Sequence, residues 1–244
     1  MTNPLRIQQL MKLVDLTRLN DQDDAAAMQQ WLEQDLAGAA VLPAAVCVYP
    51  QYLTQVKDFL QKNQYAIKLA TVVNFPSGAL PLSQVLDQIK AALQAGTDEI
   101  DCVLPYQMLL SGQTQLVREF LAAVRQATPG ICLKIIIESG ELGTCQQISK
   151  ATELVVESGA DFVKTSTGKV KVGVTEEAAR IILAVIAASE RPVGFKASGG
   201  VRSVEFALKL VSLFEELTGE VATAQLMRLG ASALLNDLSQ QLDY

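Results

Sequence analysis

Histidine is absent from all 244 residues. That absence removes Ser-His and Cys-His nucleophile pairs, His-ligated zinc and imidazole acid–base catalysis. Cysteine is scarce: Cys47, Cys102, Cys132 and Cys145 form no C-x-x-C pair and no framework spacing. They read as free thiols in a reducing cytoplasm. Long apolar runs are missing too. The longest, residues 36–49, contains Gly38 and Pro43 and falls short of the ~20 residues a membrane span needs. The first ten residues, MTNPLRIQQL, hold no apolar signal core, so a soluble cytoplasmic protein is expected. Basic charge is short as well. The formal net charge is −6 and lysines and arginines are scattered, which argues against non-specific nucleic-acid binding. Any chemistry has to come from carboxylates, lysines, cysteines, hydroxyls or a bound group.

What is present is enough for a large core. Half the residues are hydrophobic and 19% are charged, and the length suits one domain spanning 1–244. Short apolar runs rich in Val and Ile recur at 12–16, 45–49, 68–73, 99–104, 132–137, 161–165, 193–196 and, most weakly, 226–229. Each reads as a buried strand. Helical spacing fills the gaps, as in Val85, Leu86, Ile89 and Leu93, or Ala178, Ile181, Ile182 and Val185. Thr175 and Ser203 stand at helix starts as caps, and Gly96 and Gly159 at helix ends. A strand roughly every 30 residues, eight times over, is the arithmetic of a (β/α)8 TIM barrel, here with a short N-terminal helix. The alternative is an open doubly wound sheet, which usually carries a Gly-rich turn after its first strand. Residues 15–20, DLTRLN, offer none.

Three charges lie inside apolar strands: Asp101, Lys164 and Lys196. Burying a charge is costly unless it is paired. Each precedes a Gly or Pro by four residues (Pro105, Gly168, Gly200), which predicts comparable depths below the C-terminal mouth where barrel enzymes place their sites. Two crowded, desolvated lysines would free one amine as a nucleophile toward an aldehyde, with Asp101 moving protons. A core Lys–Asp salt bridge beside an unrelated lysine is the structural alternative. After the last strands, residues 198–203, SGGVRS, and 230–232, GAS, lead toward helices whose first N–H groups make a phosphate site, unless they are plain turns. Thr167-Gly168-Lys169 could reach the same group. It is not a Walker loop, because Val163 and Val170 stand where that motif needs Gly and Ser/Thr.

Residues 163–169, VKTSTGK, 194–202, GFKASGGVR, and 98–101, DEID, resemble deoxyribose-phosphate aldolase. Residues 15–17, 47–50, 71–76 and 134–142 resemble the same family in the same order, so the likeness spans about residues 11 to 235. The resemblance implies a class I aldolase on a (β/α)8 barrel, without metal or cofactor. It implies reversible cleavage of 2-deoxy-D-ribose 5-phosphate to D-glyceraldehyde 3-phosphate and acetaldehyde, in deoxynucleoside breakdown. Lys164 then corresponds to the Schiff-base lysine, Lys196 to the second lysine and Asp101 to the proton-relay carboxylate. Phosphate contacts carry over to Thr167, Gly168, Lys169, Gly199, Gly200 and Ser232. The implied partners are a small sugar phosphate and an aldehyde, and the implied assembly is a homodimer. A Schiff-base aldolase or transaldolase for another sugar phosphate, or a sugar-phosphate-binding barrel without catalysis, are the alternatives.

Some positions depart from the family pattern. Ala197-Ser198 replaces the Pro-Ala of some members, and Ala233 stands where near relatives have a second serine. Relatives end in a tail whose terminal tyrosine returns to the site. Tyr244 is terminal here, but a final helix following Ser232 would run toward the opposite barrel face, so Tyr244 is given no role. Cys47, near the end of strand two, faces either the pocket or the helices.

Overall fold

The computed structural model describes residues 4–37 and 41–231, together with Leu234 and Leu238. Helix α1 (Pro4–Met11) precedes strand β1 (Val14–Arg18), followed by α2 (Ala25–Asp35), β2 (Ala45–Val48), a 3-10 turn (Pro50–Tyr52) and α3 (Leu53–Lys62). The middle of the chain gives β3 (Lys68–Val73), α4 (Leu82–Ala95), β4 (Glu99–Val103), α5 (Tyr106–Leu110), α6 (Thr114–Ala127) and β5 (Cys132–Ile136). Then come α7 (Ser139–Leu142), α8 (Cys145–Glu157), β6 (Phe162–Lys164), α9 (Glu176–Ala187), β7 (Gly194–Ser198), α10 (Val204–Thr218) and β8 (Met227–Ala231). All eight strands are parallel and close in sequence order, β8 pairing back onto β1, so the fold is a (β/α)8 barrel. Among the described residues no helix is long and apolar enough to cross a membrane.

The expected caps are in place. The side chains of Thr175 and Ser203 accept from Ala178 N–H and Phe206 N–H, and Gly96 closes α4 in the left-handed conformation. Strand limits differ where polarity misleads. β1 is displaced by two residues from the apolar run 12–16, because Leu13 still donates to Leu10 of α1. β7 runs on to Ser198, and β8 to Ala231, beyond their apolar runs. Strands entering the mouth carry polar and small residues, so hydrophobicity alone ends them too soon.

Alternate strand residues divide the core in two. Leu16, Val46, Leu69, Ile100, Ile135, Val163, Phe195 and Leu229 belong to the main cluster under the helices. The opposite set points into the barrel. On β2 and β3 it is small and apolar, with Ala45, Cys47, Ala70 and Val72 forming a separate cluster. Elsewhere it is charged: Asp15, Glu99, Asp101, Lys134, Lys164, Lys196 and Arg228 are all buried. Branched aliphatics usually fill that space.

One close approach ties the β6–α9 segment to the mouth. Val174 N–H donates to the carbonyls of Ser198 (3.1 Å) and Gly199 (2.9 Å). A Cβ on the preceding Gly173 would lie 1.9 Å from the Gly199 oxygen, so the backbone itself would have to move. Gly173→Ala is expected to cost about 1–3 kcal/mol. A thermal melt should show this as a fall of about 5 °C in Tm, and an unchanged Tm would contradict the contact.

Candidate active site

Lys164 and Lys196 are register partners on β6 and β7, as the sequence anticipates. Asp101 pairs on β5 with Lys134, whereas Lys164 pairs with Ile136, two residues farther along. Strands of a closed barrel are tilted and staggered by about one residue per strand, so this offset over two strands leaves Asp101 and Lys164 at comparable depth. Their side chains meet. Asp101 Oδ2 accepts from Lys164 Nζ (2.8 Å) and from Lys196 Nζ (2.7 Å), and Oδ1 accepts from Lys134 Nζ (2.9 Å).

The other ends of these lysines are not equivalent. Lys196 Nζ also donates to Asp15 Oδ2 (2.5 Å), and Lys134 Nζ to Glu99 Oε2 (2.5 Å). Arg228 joins the lower pair, Nη1 donating to Asp15 Oδ1 (2.5 Å) and Nη2 to Glu99 Oε1 (2.9 Å), while its guanidinium lies 5.7 Å from the centre of the Phe162 ring. Among the described residues, Lys164 has only the shared Asp101 oxygen as an ion-pair partner.

Protonation follows partner number. Burial pushes the Lys164 pKa below the usual lysine range; Asp101 pulls it back and Lys196 lowers it again, leaving a net decrease. Burial acts the same way on Lys196, but Asp101 and Asp15 outweigh it and the ammonium is held. Burial would raise the Asp101 pKa, yet Lys134, Lys164 and Lys196 together hold it well below the carboxylate range. Asp15 is lowered in the same way by Lys196, Lys134 and Arg228 against its own burial.

Above this network opens a cavity of about 300 Å³ with Lys164 in its lining. Thr167, Gly168, Lys169, Gly199 and Gly200 also line it, so five of the six expected phosphate contacts converge there. The sixth, Ser232, lies outside the described residues, as do Ala233 and Tyr244. The glycines lead toward α10, which opens after its Ser203 cap as the sequence reading has it, but they stand short of its first N–H groups. Gly199 (φ +78°) and Gly200 (φ +98°) form a left-handed turn, and α10 begins only at Val204. This turn needs glycine, since side-chain-bearing residues rarely adopt φ > 0. Lys169 Nζ donates to Asp21 Oδ2 (3.1 Å) at the mouth.

Five residues escaped the composition and spacing reading. Asp15 and Lys134 show the signal that singled out Asp101, a lone charge between apolar strand residues, but neither is followed by Gly or Pro at the chosen spacing. Glu99 and Arg228 stand at or near strand starts, where a charge looks solvated. Glu138 is buried with a left-handed backbone (φ +53°). Its carboxylate accepts from Thr167 Oγ1 (2.5 Å) and Thr167 N–H (3.2 Å), fixing the first residue of the Thr167–Lys169 turn. Cys47 resolves toward the barrel interior, not the helices. It is buried, absent from the cavity lining, and its pKa is pushed up to about 11 by burial and Asp101.

The network has a pH signature. Asp15 titrates lower in the folded chain than unfolded, so its stabilisation is complete above the unfolded pKa of about 4 and is lost as pH falls toward the folded value. Asp15→Asn leaves Lys196 and Arg228 short of a counter-charge. In urea unfolding at pH 7 it is expected to lose about 3–5 kcal/mol. That deficit should shrink steadily below about pH 4; a deficit independent of pH would contradict the charge-based account.

A model of DeoC/LacD family aldolases matches residues 9–240. A candidate deoxyribose-phosphate aldolase from Coccidioides immitis superposes with a TM-score of 0.84 at 29% identity, covering 96% of this chain and 86% of that one. QR15, an aldolase, gives 0.80 at 27% identity, with 96% of each chain covered. A tetrameric deoxyribose phosphate aldolase from Aeropyrum pernix gives 0.73 at 25% identity, covering 96% and 92%. The chain, a closed barrel with paired lysines beneath a small cavity at its mouth, belongs to the DeoC/LacD family of aldolases and is a lyase.

Proposed function

We propose that this aldolase cleaves 2-deoxy-D-ribose 5-phosphate reversibly to D-glyceraldehyde 3-phosphate and acetaldehyde, with Lys164 as the Schiff-base nucleophile. One observation carries the assignment. Of the three lysines on Asp101, only Lys164 lines the cavity, and among the described residues it alone has a single shared acceptor. It is the lysine most easily neutral and the one a substrate carbonyl can reach. Lys196 and Lys134 are sealed at 0% exposure and held by further carboxylates.

The course follows from these positions. The Lys164 amine attacks the open-chain aldehyde at C1, and uptake of one proton from solvent with loss of water leaves an iminium. That step replaces an amine with two N–H bonds by an iminium with one, loosening the hold on Asp101 Oδ2. Asp101, with Lys196 beside it and a water between, takes the C3 hydroxyl proton as the C2–C3 bond breaks. The bonding electrons pass into the iminium and give an enamine, and D-glyceraldehyde 3-phosphate departs. Protonation at C2 and hydrolysis release acetaldehyde and restore the amine. The phosphate end is assigned to the Thr167–Lys169 turn and the Gly199–Gly200 turn across the cavity, whose size suits a small substrate.

Borohydride reduction in the presence of acetaldehyde or deoxyribose 5-phosphate should leave a stable adduct on the peptide carrying Lys164, and Lys164→Met should lower turnover by at least about 10³-fold. An adduct on Lys196 instead would reverse the assignment. Lys169→Gln is expected to raise KM for deoxyribose 5-phosphate about tenfold, the worth of one charge-assisted contact, with little effect on unphosphorylated deoxyribose. Equal effects on both sugars would remove the phosphate assignment, and faster turnover of another sugar phosphate in a substrate panel would replace the substrate.

A further inference from the structure

The ion-paired cluster has a formal balance that bears on Lys164. Asp15, Glu99 and Asp101 face Lys134, Lys196 and Arg228, linked by contacts of 2.5–2.9 Å. Three carboxylates meet three cations, so the cluster is neutral before Lys164 is counted. A protonated Lys164 is its surplus charge.

We infer that the layer beneath Asp101, made of Glu99, Lys134 and Arg228, sets the protonation of Lys164 through this balance without touching the substrate. The inference rests on Lys164 being the nucleophile, and these three act through Asp101 and Asp15. The connections are direct. Lys134 occupies the Asp101 oxygen that Lys164 does not use, Glu99 holds Lys134, and Arg228 spans Glu99 and Asp15. Asp15 in turn holds Lys196, which shares the Asp101 oxygen with Lys164. Other groups face Lys164 from elsewhere. Cys47 on β2 is a neutral thiol, its pKa raised to about 11. Glu138 above β5 is turned to Thr167, while Lys169 and Arg202 line the cavity at the mouth. None of these four belongs to the ion-paired cluster.

A charge change one layer down therefore moves Lys164 with a sign fixed in advance. Removing the Glu99 charge leaves the cluster positive and disfavours the ammonium. Removing the Lys134 charge leaves it negative and favours the ammonium. Glu99 and Arg228 also reach the lining of a second cavity of about 690 Å³ at the other end of the barrel. At an effective dielectric of about 20, one unit charge two residues down a strand, ~6.6 Å away, shifts a midpoint by about one to two pH units.

The probe is acetylacetone. A neutral lysine amine attacks one of its carbonyl carbons, water leaves, and the enaminone that remains absorbs in the near ultraviolet. Labelling rates of the full chain would be followed against pH, with Lys164→Met as the blank. Glu99→Gln, close to isosteric, is expected to lower the midpoint by about one pH unit and speed labelling about tenfold below it. Lys134→Met is expected to raise the midpoint by a similar amount, and the double variant to return close to the parent. A role in packing alone would not give opposite shifts that cancel. Unmoved midpoints, or two shifts of the same sign, would overturn the inference while leaving Lys164 as nucleophile. If Lys134→Met does not fold, the Glu99→Gln midpoint decides alone. No label above the Lys164→Met blank at any pH would instead overturn the nucleophile assignment, and this inference with it.

Discussion

Asp101 accepts from three ammonium groups at once, and the rest of the site is arranged around that carboxylate. A single ionised carboxylate at the centre of a barrel would be prohibitively costly, and three unpaired lysines more so. Together they are tolerable because β4, β5, β6 and β7 are consecutive staves of one closed sheet. Their side chains converge on the same axis. Small residues opposite, on β2 and β3, leave room for the long lysine stems. Arg228 and Glu99 seal the underside, and Phe162 occupies the space where Gly194 has no side chain.

Such a core is not the most stable filling for a barrel. Buried ion pairs return little more than their desolvation cost, and branched aliphatics of similar volume often do as well or better. What the charges supply is a difference between two lysines of identical type at the same register. Lys196 has two carboxylates and remains an ammonium. Lys164 has a share of one and is driven toward the neutral amine. Chemistry at neutral pH needs that asymmetry, since an ordinary lysine is almost wholly protonated there.

The (β/α)8 order was legible because each βα unit carries its own evidence: a β-branched run, a cap, an amphipathic stripe, a closing glycine. Lys164, Lys196 and Asp101 were legible for a related reason, because a charge inside an apolar strand conflicts with its neighbours. The same rule applied to Asp15 and Lys134 would have completed the upper network. Glu99 and Arg228 were hidden by their places near strand starts, and Glu138 by lying just past the end of β5. Cys47 shows the opposite gap, since its sequence neighbourhood left both faces of β2 open and only barrel closure chose one.

By itself the sequence determined what is local and periodic: strand and helix order, which residues are too polar for their surroundings, and the exclusion of imidazole chemistry by the want of a single histidine. Tertiary structure alone decided which charges meet. Depth in a barrel depends on the stagger between strands, so Asp101 pairs with Lys134 along the sheet and yet reaches Lys164 and Lys196 through its side chain. Protonation depends on how many carboxylates each ammonium finds, and those carboxylates come from β1 and β4, up to 181 residues away in the chain. Spacing along one strand carries no record of such distances, because closure of the ring creates them.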